Sequence, residues 1–182
     1  YMSVGSIEIE RKDFKNFKKG QDYDSKLPDW DKEYMLLGDS SGKPTANTIN
    51  LMKKRIDAIA ALKCDFIEFD NLDFTGDDKI IKKQKLTEAG IRAYNKDLCN
   101  YMKSKNIKCM YKNSGPSDPD AALWDGLTFE SNKKGPVKID PNLLKKFTDN
   151  GEPLYISHYG EADKAGCDGV YKKFKSDYKN PF

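Results

Sequence analysis

The stretch Cys64-Asp65-Phe66-Ile67-Glu68-Phe69-Asp70-Asn71-Leu72-Asp73-Phe74 constrains the fold more than any other, because it has the alternation of a strand and that strand ends in carboxylates. Alternation places Phe66, Glu68 and Asp70 on one face and Ile67 and Phe69 on the other. A strand with apolar residues on both faces belongs in a covered sheet, where an ionised side chain is costly unless it is paired or used. Trp124-Asp125-Gly126-Leu127-Thr128-Phe129-Glu130 repeats the design, a short apolar run closed by an acid. Helical patterns separate such runs along the chain. Alternating strands and helices are the signature of parallel βαβ units, and in closed barrels of that kind the chemistry sits at the C-terminal ends of the strands. Asp70 and Glu130 are therefore the candidate site acids, expected to face one cleft. Strand-end caps or salt bridges are the structural alternative.

The remaining elements follow from periodicity and turn chemistry. A strand is expected at residues 1–5, a short helix from Asp13 to Lys19, and a strand at Tyr34-Met35-Leu36-Leu37 before the turn residues Gly38 to Pro44. Ile49, Met52, Ile56 and Ile59 recur at helical spacing and predict a helix from Thr48 to Lys63 packed on the sheet. Thr87 is the expected N-cap of a helix that turns Ile91, Tyr94, Leu98 and Tyr101 or Met102 inward and ends at Asn106. Strands are expected at Ile107 to Tyr111, Pro153 to Tyr159 and Gly169 to Tyr171, with a helix from Asp140-Pro141 to Asn150-Gly151 between them.

At 182 residues the chain reads as one domain, residues 1–182, yet it is shorter than the roughly 250 residues of a typical eight-stranded α/β barrel. It opens inside a strand, at Tyr1-Met2-Ser3-Val4-Gly5. The expectation is a (β/α)8 barrel lacking its first strand and helix in this chain, with an exposed edge that an N-terminal segment or a partner chain would cover. Lysine and arginine total 32 against 29 acids, and the arginines are only Arg11, Arg55 and Arg92, so the charge describes a solvated surface and not a nucleic-acid footprint. No apolar run is long enough to span a membrane, and the pattern of a secretory signal does not occur within these 182 residues, so any such signal is expected in the missing N-terminal part. The cysteines Cys64, Cys99, Cys109 and Cys167 lack CxxC spacing and only one histidine accompanies them, which argues against zinc and leaves disulfides or inert core thiols. Cys64 and Cys109, at predicted strands, suit the packing of a small hydrophobe.

Several separated motifs then converge. Tyr1 to Ser6 followed by Ile7-Glu8, Arg11, Arg55, the run from Cys64-Asp65 to Asp70-Asn71-Leu72-Asp73, Tyr94-Asn95, Lys112-Asn113 and Glu130 stand in the order and at the helix-sized gaps of glycoside hydrolase family 114, the endo-α-1,4-polygalactosaminidases, which the chain resembles over nearly its whole length. The resemblance implies a (β/α)8 barrel, extracellular or cell-surface action, no cofactor or metal, and two-carboxylate cleavage of α-1,4-linked galactosamine polymer by Asp70 and Glu130. Departures from the family pattern are Leu36 and Gly38 where an Asp and an Arg are usual, Phe69 for Pro, Phe129 for Asn, and His158 for an acid near the end of the seventh strand.

Such cleavage needs one carboxylate beneath the anomeric carbon and one carboxylic acid beside the leaving oxygen, about 5–5.5 Å apart in retaining enzymes. Asp70 is assigned as nucleophile and Glu130 as acid/base, with a separation on the order of 5–7 Å expected in an unliganded site. Lys112 is expected to keep Asp70 ionised, and Phe129 with nearby apolar residues to keep Glu130 protonated. Substrate-binding candidates are Glu8, Glu68, Asn71, Lys112, Asn113, His158 and Tyr159. Glu68 is better suited to an internal ion pair, such as one with Lys112, than to catalysis, and Asn71 and Asn113 serve equally as loop residues. Trp30 and Trp124 are expected in the core. The acids from Asp65 to Asp78 would attract a polycationic chain, although a solvated loop explains Asp77 and Asp78 as well. The alternative function is a catalytically impaired barrel that binds carbohydrate or joins a cell-surface assembly.

Overall fold

The computed structural model describes residues 2–28, 30–71, 78–113, 123–131, 142, 145, 147, 149–158 and 172. The elements are β1 (Met2–Ser3), β2 (Ser6–Glu8), a 3-10 turn (Phe14–Asn16), β3 (Tyr23–Leu27), β4 (Trp30–Leu36), α1 (Ala46–Ala60), β5 (Phe66–Asp70), α2 (Asp78–Lys83), α3 (Glu88–Lys103), β6 (Lys108–Lys112), β7 (Gly126–Ser131) and β8 (Leu154–His158). Strands β1, β5, β6, β7 and β8 form one sheet in that order, and β2, β4 and β3 form a second. The chain divides into two compact units, Tyr1–Cys109 and Met110–Phe182, with the boundary inside β6. Tyr1, the Gly169 to Tyr171 strand, the Asp140-Pro141 helix start, Cys167 and Tyr159 lie outside the described residues.

In the first unit β1 runs parallel to β5, with Met2 opposite Phe69 and Ser3 opposite Asp70. Ile67 and Phe69 are fully buried while Phe66, Glu68 and Asp70 are half-buried, so the alternation read from the sequence is the alternation observed. Helix α1 is capped by the Thr45 hydroxyl, which accepts from the Thr48 amide, and buries Leu51, Met52 and Ile56. Leu51 takes a place expected of Ile49 and Ile59, which are only half-buried. Thr87 caps α3 by accepting from the Gly90 amide, and Ile91, Tyr94, Leu98 and Met102 go inward as expected. Asn106 ends that helix with a φ of 60°, a left-handed conformation asparagine tolerates.

The segment Tyr34 to Leu37 is not a strand of the parallel sheet. It belongs to β4, which pairs antiparallel with β2 and β3. The physical reason lies upstream of the apolar run: Asp31 and Lys32 in β4 and Asp24 and Lys26 in β3 are exposed, which residues of a sheet covered on both faces are not, so the run belongs to a ribbon that reaches into water. Phe14, Tyr23 and Tyr34 stack on this ribbon at centroid distances of 4.7–6.1 Å, and only a 3-10 turn forms where a short helix was expected. Trp30, at the tip, is 62 % exposed and not a core residue.

Cys99 on α3 and Cys109 on β6 form a disulfide across ten residues, their Cα atoms 5.6 Å apart. Cys109 is thus bonded, and Cys64 is a free, exposed thiol just before β5 and not a packed hydrophobe. Closing a loop of this length in the unfolded chain stabilises the fold by about 2–3 kcal/mol. Replacing both cysteines by serine is expected to lower the denaturant midpoint accordingly, and an unchanged midpoint in urea titration would show that the bond contributes nothing.

In the second unit β6, β7 and β8 are parallel neighbours. Trp124 is buried, as expected, and stacks on Tyr111 at 4.5 Å. Asn142, Lys145 and Phe147 are helical. Gly151, at a φ of 67°, ends that stretch, with the Glu152 amide donating to the Phe147 carbonyl at 2.9 Å, the bond of a glycine C-cap.

Candidate functional site

Asp70 is the last residue of β5, and its backbone is fixed before its side chain is considered. Its carbonyl accepts from the amides of Val4 and Gly5, at 3.3 and 3.1 Å, the two residues between β1 and β2. The Val4 carbonyl in turn accepts from the Tyr94 hydroxyl at 2.8 Å. Tyr94 is fully buried, and burial pushes its phenol far above the usual tyrosine range, so it stays a donor throughout working pH. The Tyr-Asn motif on α3 therefore supports the strand end from beneath. Tyr94→Phe leaves a buried carbonyl without its partner and is expected to cost about 1–2 kcal/mol in a denaturation experiment while the helix stays intact. A variant as stable as wild type would show the bond to be dispensable.

The Asp70 carboxylate accepts from the Asn71 amide at 2.8 Å. Asn71 has a φ of 59°, which turns the chain sharply at the strand end. Its side-chain nitrogen lies 2.9 Å from Ser3 Oγ, 3.0 Å from Ser6 Oγ and 2.8 Å from Glu33 Oε2. The two serine hydroxyls are 2.6 Å apart, and Ser6 donates to Glu33 Oε2. Ser3 and Ser6 are fully buried. Because Ser3 pairs with Asp70 in a parallel ladder, the two share one face of the sheet, and this polar cluster lies beside the acid.

Glu130 is held on β7 by two residues of the β6 end. Lys112 Nζ is 2.8 Å from its Oε2, with the side chains 11 % and 22 % exposed. Asn113, at a φ of 58°, donates its amide to the Thr128 carbonyl at 2.8 Å and accepts from the Glu130 amide through Oδ1 at 3.0 Å. Its side chain thus continues the ladder one residue past the end of β6, up to the residue that carries the acid. On β8, Ser157 pairs with Glu130 and Tyr155 with Thr128. Tyr155 is 54 % exposed.

Several expected roles change. Lys112 pairs with Glu130, because the register Lys112 to Thr128 brings Glu130 within reach of its ammonium. Glu130 thus has a cation beside it where an apolar environment was expected. Phe129 contributes little to such an environment, since alternation turns it to the other face of β7. Glu8 accepts a two-pronged bond from Arg11 at 2.6 and 3.1 Å and lies 3.7 Å from Arg55, which also grips Asp13. It is the centre of an ion network. Asn71 and Asn113 are both turn residues with internal partners. His158 pairs in register with Ser131, so the β8 position level with Glu130 is Ser157. Leu36 is only 1 % exposed, and a Cβ on Gly38 would stand 2.1 Å from the Lys85 carbonyl oxygen, so neither position presents a side chain to a site.

Sequence reasoning missed Glu33. It passes over the site in sequence because it belongs to the antiparallel ribbon, and only the register of β2 with β4, Ser6 opposite Met35 and Glu8 opposite Glu33, carries it to Ser6 and Asn71. The available signal was the acid two residues before Met35 in a strand whose pairing partner ends in Ser6-Ile7-Glu8. Among the described residues no three of His, Cys, Asp and Glu gather to hold a metal ion, and no helix is long and apolar enough to cross a membrane.

Comparison with known proteins places this geometry. A crystal structure of Aspergillus fumigatus Ega3 in complex with galactosamine matches with a TM-score of 0.70 and 27 % sequence identity, over 90 % of this chain and 61 % of that one. The chain thus spans about three-fifths of the length of that relative, and its parallel strands and helices are those of an α/β fold of the (β/α)8 type. A comparison with the curated proteins gave no match. The sequence model of one glycoside-hydrolase family matches residues 1–180, essentially the whole chain, and on that match the protein belongs to family GH114.

Proposed function

We propose that this chain forms part of an extracellular or cell-surface endo-glycosidase that cleaves α-1,4-linked galactosamine-containing polysaccharide with retention. Asp70 is the nucleophile and Glu130 the acid/base. The observation that carries the reading is that, in a GH114 chain, two carboxylates stand at the C-terminal ends of parallel strands, each fixed by an asparagine in the left-handed conformation. The galactosamine complex of Ega3 supports an amino sugar as the ligand class. The Cys99 to Cys109 disulfide supports an oxidising compartment.

In this mechanism the Asp70 carboxylate attacks the anomeric carbon as Glu130 gives a proton to the leaving oxygen, and Glu130 then takes a proton from the water that releases the sugar. The ammonium of Lys112, 2.8 Å from Glu130 Oε2, holds that side chain in place. Reducing-end release from partially deacetylated galactosaminogalactan tests the reading, and inactivity on every galactosamine polymer would sink it. A second reading, a carbohydrate-binding barrel with impaired catalysis, is favoured by one observation: the positions of the family's usual Asp and Arg are here a core leucine, Leu36, and a sterically closed glycine, Gly38.

A further inference from the structure

Glu8 and Glu33 stand directly opposite each other in the antiparallel pair of β2 and β4. Like charges in that arrangement repel and destabilise the pairing. The two carboxylates are compensated in different ways. Glu8 has Arg11 and Arg55. Glu33 has only neutral donors, the Ser6 hydroxyl and the Asn71 amide, both on Oε2, and among the described residues no lysine or arginine pairs with it. Its Oε1 receives no hydrogen bond from the described residues. The half-buried carboxylate is thus fixed in direction by one oxygen, presents the other, and adjoins the nucleophile candidate through Asn71, which bonds both.

We propose that Glu33 is a specificity-determining residue that binds the ammonium group of the amino sugar next to Asp70. The proposal rests on the galactosamine reading above and adds a residue that neither the family motifs nor the sequence pattern assigns. An ammonium supplies the missing countercharge and three donors to Oε1, and a charge-assisted bond of this kind is stronger than any bond the carboxylate makes to an acetamido group. Free amine is therefore preferred over N-acetylated sugar. Serine and asparagine around Oε2 supply direction without cancelling the charge, as an arginine would.

The test measures binding, so that it stays readable whether or not the protein cleaves. Glu130→Gln and the double variant Glu130→Gln with Glu33→Gln are titrated by calorimetry with galactosamine oligomers and with N-acetylgalactosamine oligomers of equal length. Glutamine keeps an acceptor for Ser6 and Asn71, and thermal unfolding of both proteins reports whether the cluster survives. The expected result is a dissociation constant for galactosamine oligomers raised about tenfold or more by Glu33→Gln, with binding of the N-acetylated oligomers unchanged. Equal weakening for both sugars, no change for either, or no binding of galactosamine oligomers by the Glu130→Gln protein would overturn the proposal. Absence of cleavage by wild type together with the expected binding contrast would leave the role of Glu33 standing and remove the enzymatic reading alone. If the double variant unfolds at a lower temperature, Glu33→Asp supplies the second arm: it keeps the charge and withdraws it by one methylene, and a preference for free amine that persists in reduced form supports the assignment, while its complete absence overturns it.

Discussion

Glu130→Gln is expected to abolish the proposed cleavage of unactivated galactosamine polymer, a loss on the order of 10²–10⁴ or more, while leaving polymer binding largely intact. The amide keeps the shape of the side chain and an oxygen for Lys112 to donate to, but it has no proton to give to the leaving oxygen. Asp70→Asn is expected to be at least as damaging, since it removes the carboxylate proposed to attack yet retains an acceptor for the Asn71 amide. Reducing-end release by wild type and both variants is the measurement. If wild type is active and either variant keeps most of that activity, the corresponding residue is not the acid/base or the nucleophile. If wild type is inactive but binds glycan, the carbohydrate-binding reading takes over, and Leu36 and Gly38 become the positions to examine first.

How much of this was legible in the sequence depended on whether the information was local. The β5 alternation, the Thr87 cap and the glycine stop at Gly151 are local, and each is found where the sequence places it. The acids at strand ends were legible for the same reason, because a carboxylate closing an apolar run is visible without knowing any partner. What failed depended on pairing. Tyr34 to Leu37 has the composition of a buried strand, and nothing within those four residues says that the polar residues before them will pair antiparallel with β2. Once that sheet is known, Trp30 falls at its exposed tip and Glu33 arrives beside Asn71. The pairing of Lys112 with Glu130 was likewise a question of register, since only the alignment of Lys112 with Thr128 selects Glu130 as a partner.

That selection gives the second large effect. Lys112→Met is expected to reduce kcat on the order of a hundredfold while KM changes little, because the lost ammonium acts on Glu130 and not on the sugar. Methionine has nearly the length of the lysine stem and fills the same half-buried space, so the strand end keeps its packing while the Glu130 side chain, 22 % exposed, loses the cation at 2.8 Å. A Glu130 no longer held by that cation is expected to shift and to miss the glycosidic oxygen. Lys112→Arg retains the charge and is expected to recover a substantial part of kcat. Asn113→Ala should act through the same acid by freeing the Glu130 amide, with a smaller loss, since the Asn113 amide bond to Thr128 remains. Steady-state kinetics on galactosamine oligomers separates the two roles open to Lys112. A raised KM with kcat intact would return the residue to the substrate-contact role that the sequence suggested, and unchanged kinetics would show that the ion pair has no part in the reaction.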